Sequence, residues 1–270
     1  MKTAAFPTHH GLLAALFVVN AWAACLFQPA TAQDAPTQPV AEAAEPVAEE
    51  AEEPEPLRLP PPKQAKALPE PDQVWVDKKR GQVMVDGYIA LREGYLEMFA
   101  CIAGTKEHES IVAIRSRAKV VHAALLSVGA VPGSPVEFMP EFKPPTGDEI
   151  EIEVRWLDED GKPRSARGQE WVVDAETKKQ LDVPWVFAGS GFWTDEESGE
   201  RFYMAEGGDV VCVSNFATAT LDVPMPSSSA NEGLLFEAKP DGIPPLGTPV
   251  RLVLTVKKGK PVDGAQQSQP

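Results

Sequence analysis

EIEIEVRWL, residues 149–157, is the stretch that decides the fold class. Apolar residues occupy every second position from Ile150 to Trp156, and Glu or Arg occupies the positions between them. Because successive side chains of a strand point to opposite faces, this alternation predicts a β-strand with one buried and one solvated face. The charged stretch 158–162 that follows predicts a hairpin turn, since its glycine comes too early for a calcium-binding loop.

Further strand-like segments lie on both sides of this stretch. They are rich in apolar and aromatic residues, and frequent prolines keep them short. We predict strands within 74–76, 83–85, 94–103, 110–115, 184–189, 201–205, 209–214, 234–238 and 249–256. The sequence thus predicts a domain built mainly from β-strands.

One segment, residues 117–128 (RAKVVHAALLSV), predicts a helix. Its apolar residues recur on one face at helical spacing, and His122 lies at the flank of that face. Ser116 is placed to cap the first turn and Gly129 to end the last one. The expected fold class is therefore α+β and β-rich, with short antiparallel strands and one main helix at about 117–128.

The N-terminus, residues 1–32, has the pattern of a signal peptide. An apolar run from Gly11 to Phe27 precedes Ala30-Thr31-Ala32, which predicts cleavage after Ala32. An uncleaved membrane anchor and lipidation at Cys25 are the alternatives. We expect an exported protein, periplasmic or associated with the cell envelope, without a transmembrane span after cleavage.

Residues 33–70 consist mainly of Ala, Pro and Glu and predict a disordered linker. The globular domain is expected at 71–258 and a disordered tail at 259–270. The formal net charge of −15 disfavours nucleic acid as a partner. A cell-envelope protein or a small ligand fits an exported acidic domain better.

Two cysteines, Cys101 and Cys212, remain after signal cleavage. Export permits a disulfide between them. Each lies in an apolar, strand-like segment, so two separate buried thiols are an equal alternative.

The loop before the strand at 110–115 concentrates the polar chemistry of the chain. Lys106, Glu107, His108 and Glu109 are adjacent, and His122 is the other histidine of the mature chain. These five residues form the candidate pocket. His108, His122 and Glu107 could bind zinc, although their spacing matches no known metal motif. A pocket without metal and a structural polar network are the alternatives, and the sequence identifies no cofactor.

Two other patterns have a structural and a functional interpretation. Trp156, Trp171, Trp185 and Trp193 could line a groove for sugar or peptide, but core packing is the commoner role of such residues. The tetrapeptide Leu-Asp-Val-Pro occurs at 181–184 and 221–224. Its flanking residues differ, which favours coincidence over an internal repeat.

Several motifs occur in a characteristic order along the chain. They are KEHES (106–110), HAALL (122–126), VPGSPV (131–136), W-x-D-x-D-G-K (156–162), WVFAGS (185–190), Asn215, LDVP (221–224), IPP (243–245) and GTPV (247–250). Together they resemble the signature of the YdjY-domain proteins. The resemblance implies an exported domain, sometimes linked with electron transfer, and transfers no catalytic residue. This chain lacks the clustered cysteines of a ferredoxin-like protein.

Two functions follow as hypotheses. The first is an exported, non-enzymatic binding or assembly domain displayed on a flexible acidic stalk at the cell envelope. The alternative is an envelope enzyme or a metal-dependent, electron-transfer-associated accessory protein that uses the KEHE loop and His122.

Overall fold

The stretch of alternating apolar and charged residues, 149–157, forms the longest strand of the main sheet. The structure, a computed structural model, describes residues 57–230 and 233–257. The strands are β1 (Lys66–Ala67), β2 (Val74–Asp77), β3 (Gln82–Ile89), β4 (Gly94–Leu96), β5 (Met98–Ile102), β6 (Ser110–Ile114), β7 (Glu149–Leu157), β8 (Pro163–Arg167), β9 (Val172–Asp174), β10 (Trp185–Val186), β11 (Phe192–Thr194), β12 (Arg201–Tyr203), β13 (Val211–Cys212), β14 (Phe236–Ala238) and β15 (Pro249–Val256). The helix is α1 (Ala118–Ser127), and the 3-10 helices are η1 (Glu107–Glu109), η2 (Gly168–Trp171) and η3 (Met204–Gly207).

The main sheet runs in the order β10-β7-β15-β3-β6-β5-β13. Strand β8 pairs with β7, β2 pairs with β3, and β1 pairs with β2. Ile150, Ile152 and Val154 of β7 are fully buried, as the alternation predicts. A second sheet, β4-β14-β9, and the separate hairpin β11-β12 complete the fold. The β-rich α+β prediction is confirmed.

Aromatic side chains fill much of the core. The rings of Phe99 and Trp185 lie 5.3 Å apart, and those of Trp156 and Trp171 lie 5.5 Å apart. Trp171 and Trp185 are fully buried, whereas Trp193 is 49% exposed on the β11-β12 hairpin. Of the four tryptophans that cluster in the sequence, Trp171 and Trp185 are therefore core residues.

One pair of strands departs from the antiparallel expectation. Strands β5 and β6 are parallel, with Met98 opposite Ser110 and Ile102 opposite Ile114. Parallel neighbours need a crossover connection, usually of about a dozen residues or more. Here the short segment 103–109, which includes η1, carries the chain back. The KEHE loop is this crossover.

Helix α1 begins differently from the expectation. Ser116 does not cap it, because the hydroxyl of Ser116 donates to the Asp72 carboxylate at 3.1 Å. The side chain of Glu206 instead accepts the backbone N–H groups of Ala118 at 3.3 Å and Lys119 at 3.0 Å. Gly129 follows the helix with a φ of +92°, as a C-terminal glycine should.

The folded part begins before the predicted boundary at residue 71. Strand β1 pairs with β2, and the guanidinium of Arg251 donates to the carbonyl of Pro60 at 2.8 Å. These contacts tie residues 60–67 to the sheet even though their composition is typical of a linker. The predicted signal peptide, residues 33–56 of the predicted linker and the predicted tail lie outside the described residues. In the described ranges no helix is long and apolar enough to cross a membrane.

Candidate functional site

The crossover loop is anchored by Glu107. Its carboxylate accepts the Tyr88 hydroxyl and the backbone N–H of Gly104, both at 2.6 Å. The Tyr88 hydrogen bond lowers the pKa of Glu107. Burial and the nearby Glu107 raise the pKa of Tyr88 to about 12. Glu107 is therefore ionised, and its bond to Tyr88 holds the loop against strand β3.

Lys106 enters a cluster of three carboxylates. Its Nζ lies 2.9 Å from Oδ1 of Asp209, and 4.0 Å from carboxylate oxygens of both Glu97 and Glu109. The Phe216 ring covers the ammonium at 4.7 Å. The side chains of Asp209 and Glu97 are 8% and 11% exposed, so this charge cluster is largely removed from water. We refer to Lys106, Glu97, Glu109 and Asp209 as the Lys106 cluster.

Burial shapes the protonation of this cluster. Burial, followed by the charge of Glu109, raises the pKa of Glu97. Burial alone would lower the pKa of Lys106, but the close carboxylate of Asp209 and the charges of Glu109 and Glu97 raise it above its ordinary value. Lys106 is therefore held as an ammonium ion, and the protonation equilibrium of Glu97 is shifted towards the neutral acid.

Gly208 permits the approach of Asp209 to the loop. Its φ is +119°, and a Cβ at this position would lie 2.7 Å from Oγ1 of Thr105 and 3.2 Å from Cγ of Lys106. A side chain would therefore be strained and would also push the loop away. Thr218 donates its hydroxyl to Oδ2 of Asp209 from the opposite side.

His108 points outward from η1. Its side chain is 76% exposed and lies 3.7 Å from the carboxylate of Glu109. An imidazole so open to water takes no part in the buried cluster beneath the loop.

His122 belongs to a different network. Its Nδ1 lies 2.9 Å from the hydroxyl of Tyr203, which also lies 3.0 Å from Oγ1 of Thr220 and donates to the carbonyl of Gly189 at 3.2 Å. The imidazole packs edge-on against Phe187 at 4.9 Å. Burial lowers the pKa of His122 and raises that of Tyr203 to about 12. These contacts match the structural-network interpretation of His122.

Two segments connect these networks. Residues 203–209 carry Tyr203 at one end and Asp209 at the other. Residues 218–220 bond to both, because Thr218 donates to Asp209 and Thr220 contacts Tyr203. No local pattern indicated this arrangement, because these partners lie about a hundred positions from the loop.

The structure does not assemble the proposed zinc ligands. Among the described residues, no group of three or more His, Cys, Asp or Glu is placed to hold a metal ion. His108, His122 and Glu107 therefore gain no geometric support as a metal site.

Cys101 and Cys212 are both buried and are free thiols. Cys212 lies opposite Met98 across β13-β5, whereas Cys101 lies opposite Ala113 across β5-β6. Burial raises the pKa of each thiol. The arrangement corresponds to the two-thiol alternative.

A surface cleft of about 920 Å³ lies between the β7-β8 hairpin and the 242–249 loop. Trp156, Leu157 and the apolar residues 243–246 line it, and Asp158, Glu159, Asp160 and Arg164 contribute polar groups. We call it the Trp156 cleft. The predicted 158–162 turn forms the polar side of the cleft. Asp158 Oδ1 closes this turn by accepting the N–H groups of Asp160 at 3.1 Å and Lys162 at 2.8 Å. Two motifs almost a hundred residues apart, W-x-D-x-D-G-K and IPP with GTPV, thus meet at one surface.

Comparison with known proteins identifies the family. No curated protein and no solved structure gave a match. The family model described as the YdjY domain matches residues 74–255, which covers more than half of the chain and all strands from β2 to β15 except the last residue of β15. The chain belongs to the YdjY domain family.

Proposed function

We propose that this YdjY domain is an exported, non-enzymatic binding domain of the cell envelope, displayed on an acidic linker, and that it binds its ligand in the Trp156 cleft. The signal-like sequence of residues 1–32 supports export. The cleft is the observation that carries the binding function. The side chains of Lys106 and His122 are instead engaged with Asp209 and Tyr203.

The cleft has the size and lining of a ligand site. Small-molecule sites usually measure about 300–1,000 Å³ and combine apolar walls with a few polar groups. Leu246 at its edge is 64% exposed, and Trp156 is braced from below by Trp171 at 5.5 Å. A braced aromatic loses little freedom when a ligand covers it, which favours binding.

The polar side of the cleft restricts the chemistry of the ligand. Asp158, Glu159 and Asp160 bring negative charge, and Arg164 is already paired with Asp158 at 2.8 Å. A ligand with an apolar body and a positively charged or hydrogen-bond-donating end matches this surface. The net charge of −15 also favours a positively charged ligand and disfavours nucleic acid.

The alternative function, an envelope enzyme or metal-dependent accessory protein, would use the KEHE loop and His122. Glu107 and Lys106 are engaged in anchoring contacts, and His122 is engaged with Tyr203. These contacts favour a structural role, so we prefer the binding function.

A matched pair of leucine variants tests the cleft. Leu246→Lys places a positive charge at the cleft, where it would repel the charged end of the ligand, and Leu126→Lys makes the same change on α1, where Leu126 is 46% exposed. The measurement is co-sedimentation of the full chain with cell-envelope material from the producing cells. We expect Leu246→Lys to weaken binding about tenfold, equivalent to about 1.4 kcal/mol, and Leu126→Lys to bind like the wild type. Equal binding by both variants, or no binding by the wild type, would refute the proposal.

Export is tested separately by sequencing the N-terminus of the protein recovered from the producing cells. A chain that starts at Gln33 would support cleavage after Ala32. A chain that retains Met1 would indicate an anchor, and a modified Cys25 at the terminus would indicate a lipoprotein.

A further inference from the structure

We propose that the side chains of Lys106 and Asp209 form an intramolecular amide bond, with Glu97 as the proton relay. This modification is independent of the Trp156 cleft and of the proposed binding function. It would join the crossover loop covalently to the segment before β13. Four features of the Lys106 cluster support it.

The first feature is proximity. Nζ of Lys106 lies 2.9 Å from Oδ1 of Asp209, so the amine is adjacent to the carboxyl group although the residues are far apart in sequence. Gly208 makes this approach available, because any side chain there would collide with the loop. The fold therefore holds an amine against a carboxyl group permanently.

The second feature is the direction of the contact. Oδ1 of Asp209 is buried, and no donor among the described residues is aligned with it as a hydrogen bond, even though Nζ is close. A buried carboxylate oxygen normally has an aligned donor. Nζ thus lies beside the carboxyl group with poor hydrogen-bond geometry, which is a more suitable starting point for attack on Cγ than an ideal ion pair.

The third feature is a donor on the other oxygen. The hydroxyl of Thr218 donates to Oδ2 of Asp209. In an acyl transfer, negative charge develops on the oxygen that stays on the carbon, and a fixed donor stabilises it. Oδ2 is therefore the oxygen that would remain as the amide carbonyl, and Oδ1 the one that would leave.

The fourth feature is an acid in an apolar setting. A carboxylate oxygen of Glu97 lies 4.0 Å from Nζ, and the Glu97 side chain is 11% exposed. The Phe216 ring, which packs against Met98, Cys212 and Ala219, covers the ammonium. Glu109 is equally distant from Nζ but is 20% exposed and neighbours the open His108, so Glu97 is the better relay.

The reaction is a condensation and needs no other reagent. Lys106 passes one ammonium proton to the Asp209 carboxylate, and the neutral amine attacks Cγ to form the C–N bond. Glu97 donates a proton to the departing Oδ1 hydroxyl and takes the second proton from nitrogen. The Cγ–Oδ1 bond breaks and one water leaves. Because the pKa of Lys106 is raised, the neutral amine is a minor form and the reaction is expected to be slow.

Mass spectrometry of the full chain tests the bond. After incubation of the folded protein and denaturation, we expect a mass lower by one water than the sequence requires. Proteolysis should yield one branched peptide that contains both Lys106 and Asp209, with no cleavage after Lys106. An unchanged mass, with Lys106 and Asp209 recovered in separate peptides, would overturn the proposal and leave the cluster as an ion pair.

Three variants separate the roles. Lys106→Arg keeps the charge but removes the nucleophile, and it should abolish the mass loss. Glu97→Gln should slow bond formation about a hundredfold, whereas the matched Glu109→Gln should change the rate less than about threefold. Circular dichroism verifies that each variant is folded. Equal rates in Glu97→Gln and the wild type would refute the relay role of Glu97.

Discussion

The same four residues, Leu-Asp-Val-Pro, have different surroundings at 181–184 and 221–224. In the first copy Asp182 is exposed, whereas in the second copy Asp222 is completely buried. Oδ1 of Asp222 accepts the side-chain amide of Asn215 at 3.1 Å and the N–H of Val223 at 2.8 Å. Oδ2 accepts the N–H of Phe216 at 3.3 Å. Identical local sequence thus gives a solvated aspartate in one place and a buried hydrogen-bond centre in the other.

The backbone explains part of this contrast. Val186 and Asp222 exchange both of their N–H···O bonds, at 2.9 and 3.1 Å, which sets the second copy against strand β10 inside the fold. The first copy is bonded to β9 through Leu181, at 2.9 Å, and its next residue turns to solvent. Position in the sheet, and not the tetrapeptide itself, determines what the aspartate does.

The largest expected effect comes from truncating the two aspartates. Asp222→Ala removes the acceptor of two buried N–H donors, on Asn215 and Val223, and of the partly buried N–H of Phe216, so we expect it to lower the free energy of unfolding by about 3 kcal/mol or more. Asp182→Ala should stay within about 0.5 kcal/mol of the wild type. Urea unfolding of both variants measures the difference. Similar values for the two would mean that the copies are equivalent.

The amide side chains that hold each copy provide the next test. The side chain of Asn215 donates to Asp222 and to the Val223 carbonyl, and its oxygen accepts the Ser227 N–H at 2.8 Å. That of Gln169 makes one long contact, 3.4 Å, to the carbonyl of Val183. We expect Asn215→Ala to lower stability by about 2 kcal/mol and Gln169→Ala by less than about 0.5 kcal/mol in the same assay.

The pH dependence of stability sharpens the contrast. Burial raises the pKa of Asp222 to about 8, with its three donors acting in the opposite direction. Above about pH 4 the unfolded state releases this proton while the folded state keeps it, so stability falls as pH rises towards 8, by up to about 1.4 kcal/mol per pH unit. Asp222→Asn should remove this contribution, and Asp182→Asn should not. Urea unfolding at several pH values from 4.5 to 8.5 measures both slopes; identical slopes in all three proteins would refute the assignment.

The two histidines repeat the contrast on a smaller scale. Burial lowers the pKa of His122, so the unfolded state takes up a proton near pH 6.5 before the folded state does, and stability falls as pH drops below that value. We expect His122→Gln to lower stability by about 1 kcal/mol at pH 7, with a smaller deficit at pH 5. His108→Gln, at a side chain 76% exposed, should change stability by less than about 0.5 kcal/mol at either pH. Thermal unfolding at the two pH values distinguishes these outcomes.

Local patterns predicted much of the fold but less of the candidate site. The alternation in β7, the acidic turn at 158–162 and the periodicity of α1 depend on neighbours close in sequence, and each was found as expected. The parallel pairing of β5 with β6 was not expected, because a connection as short as 103–109 normally predicts antiparallel neighbours. The partners of Lys106 were missed for a related reason, since Asp209 and Thr218 carry no local signal of their destination.

By itself, the amino-acid sequence determined the strand-rich class, the position of the helix, the acidic character and the family, because these follow from composition, short-range periodicity and motif order. Only the tertiary structure decided which polar residues are buried together. It separated His108 from His122, brought Asp209 to Lys106, and buried one of two identical aspartates. The physical reason is that desolvation and hydrogen bonding depend on surroundings supplied by distant segments, which no local pattern encodes.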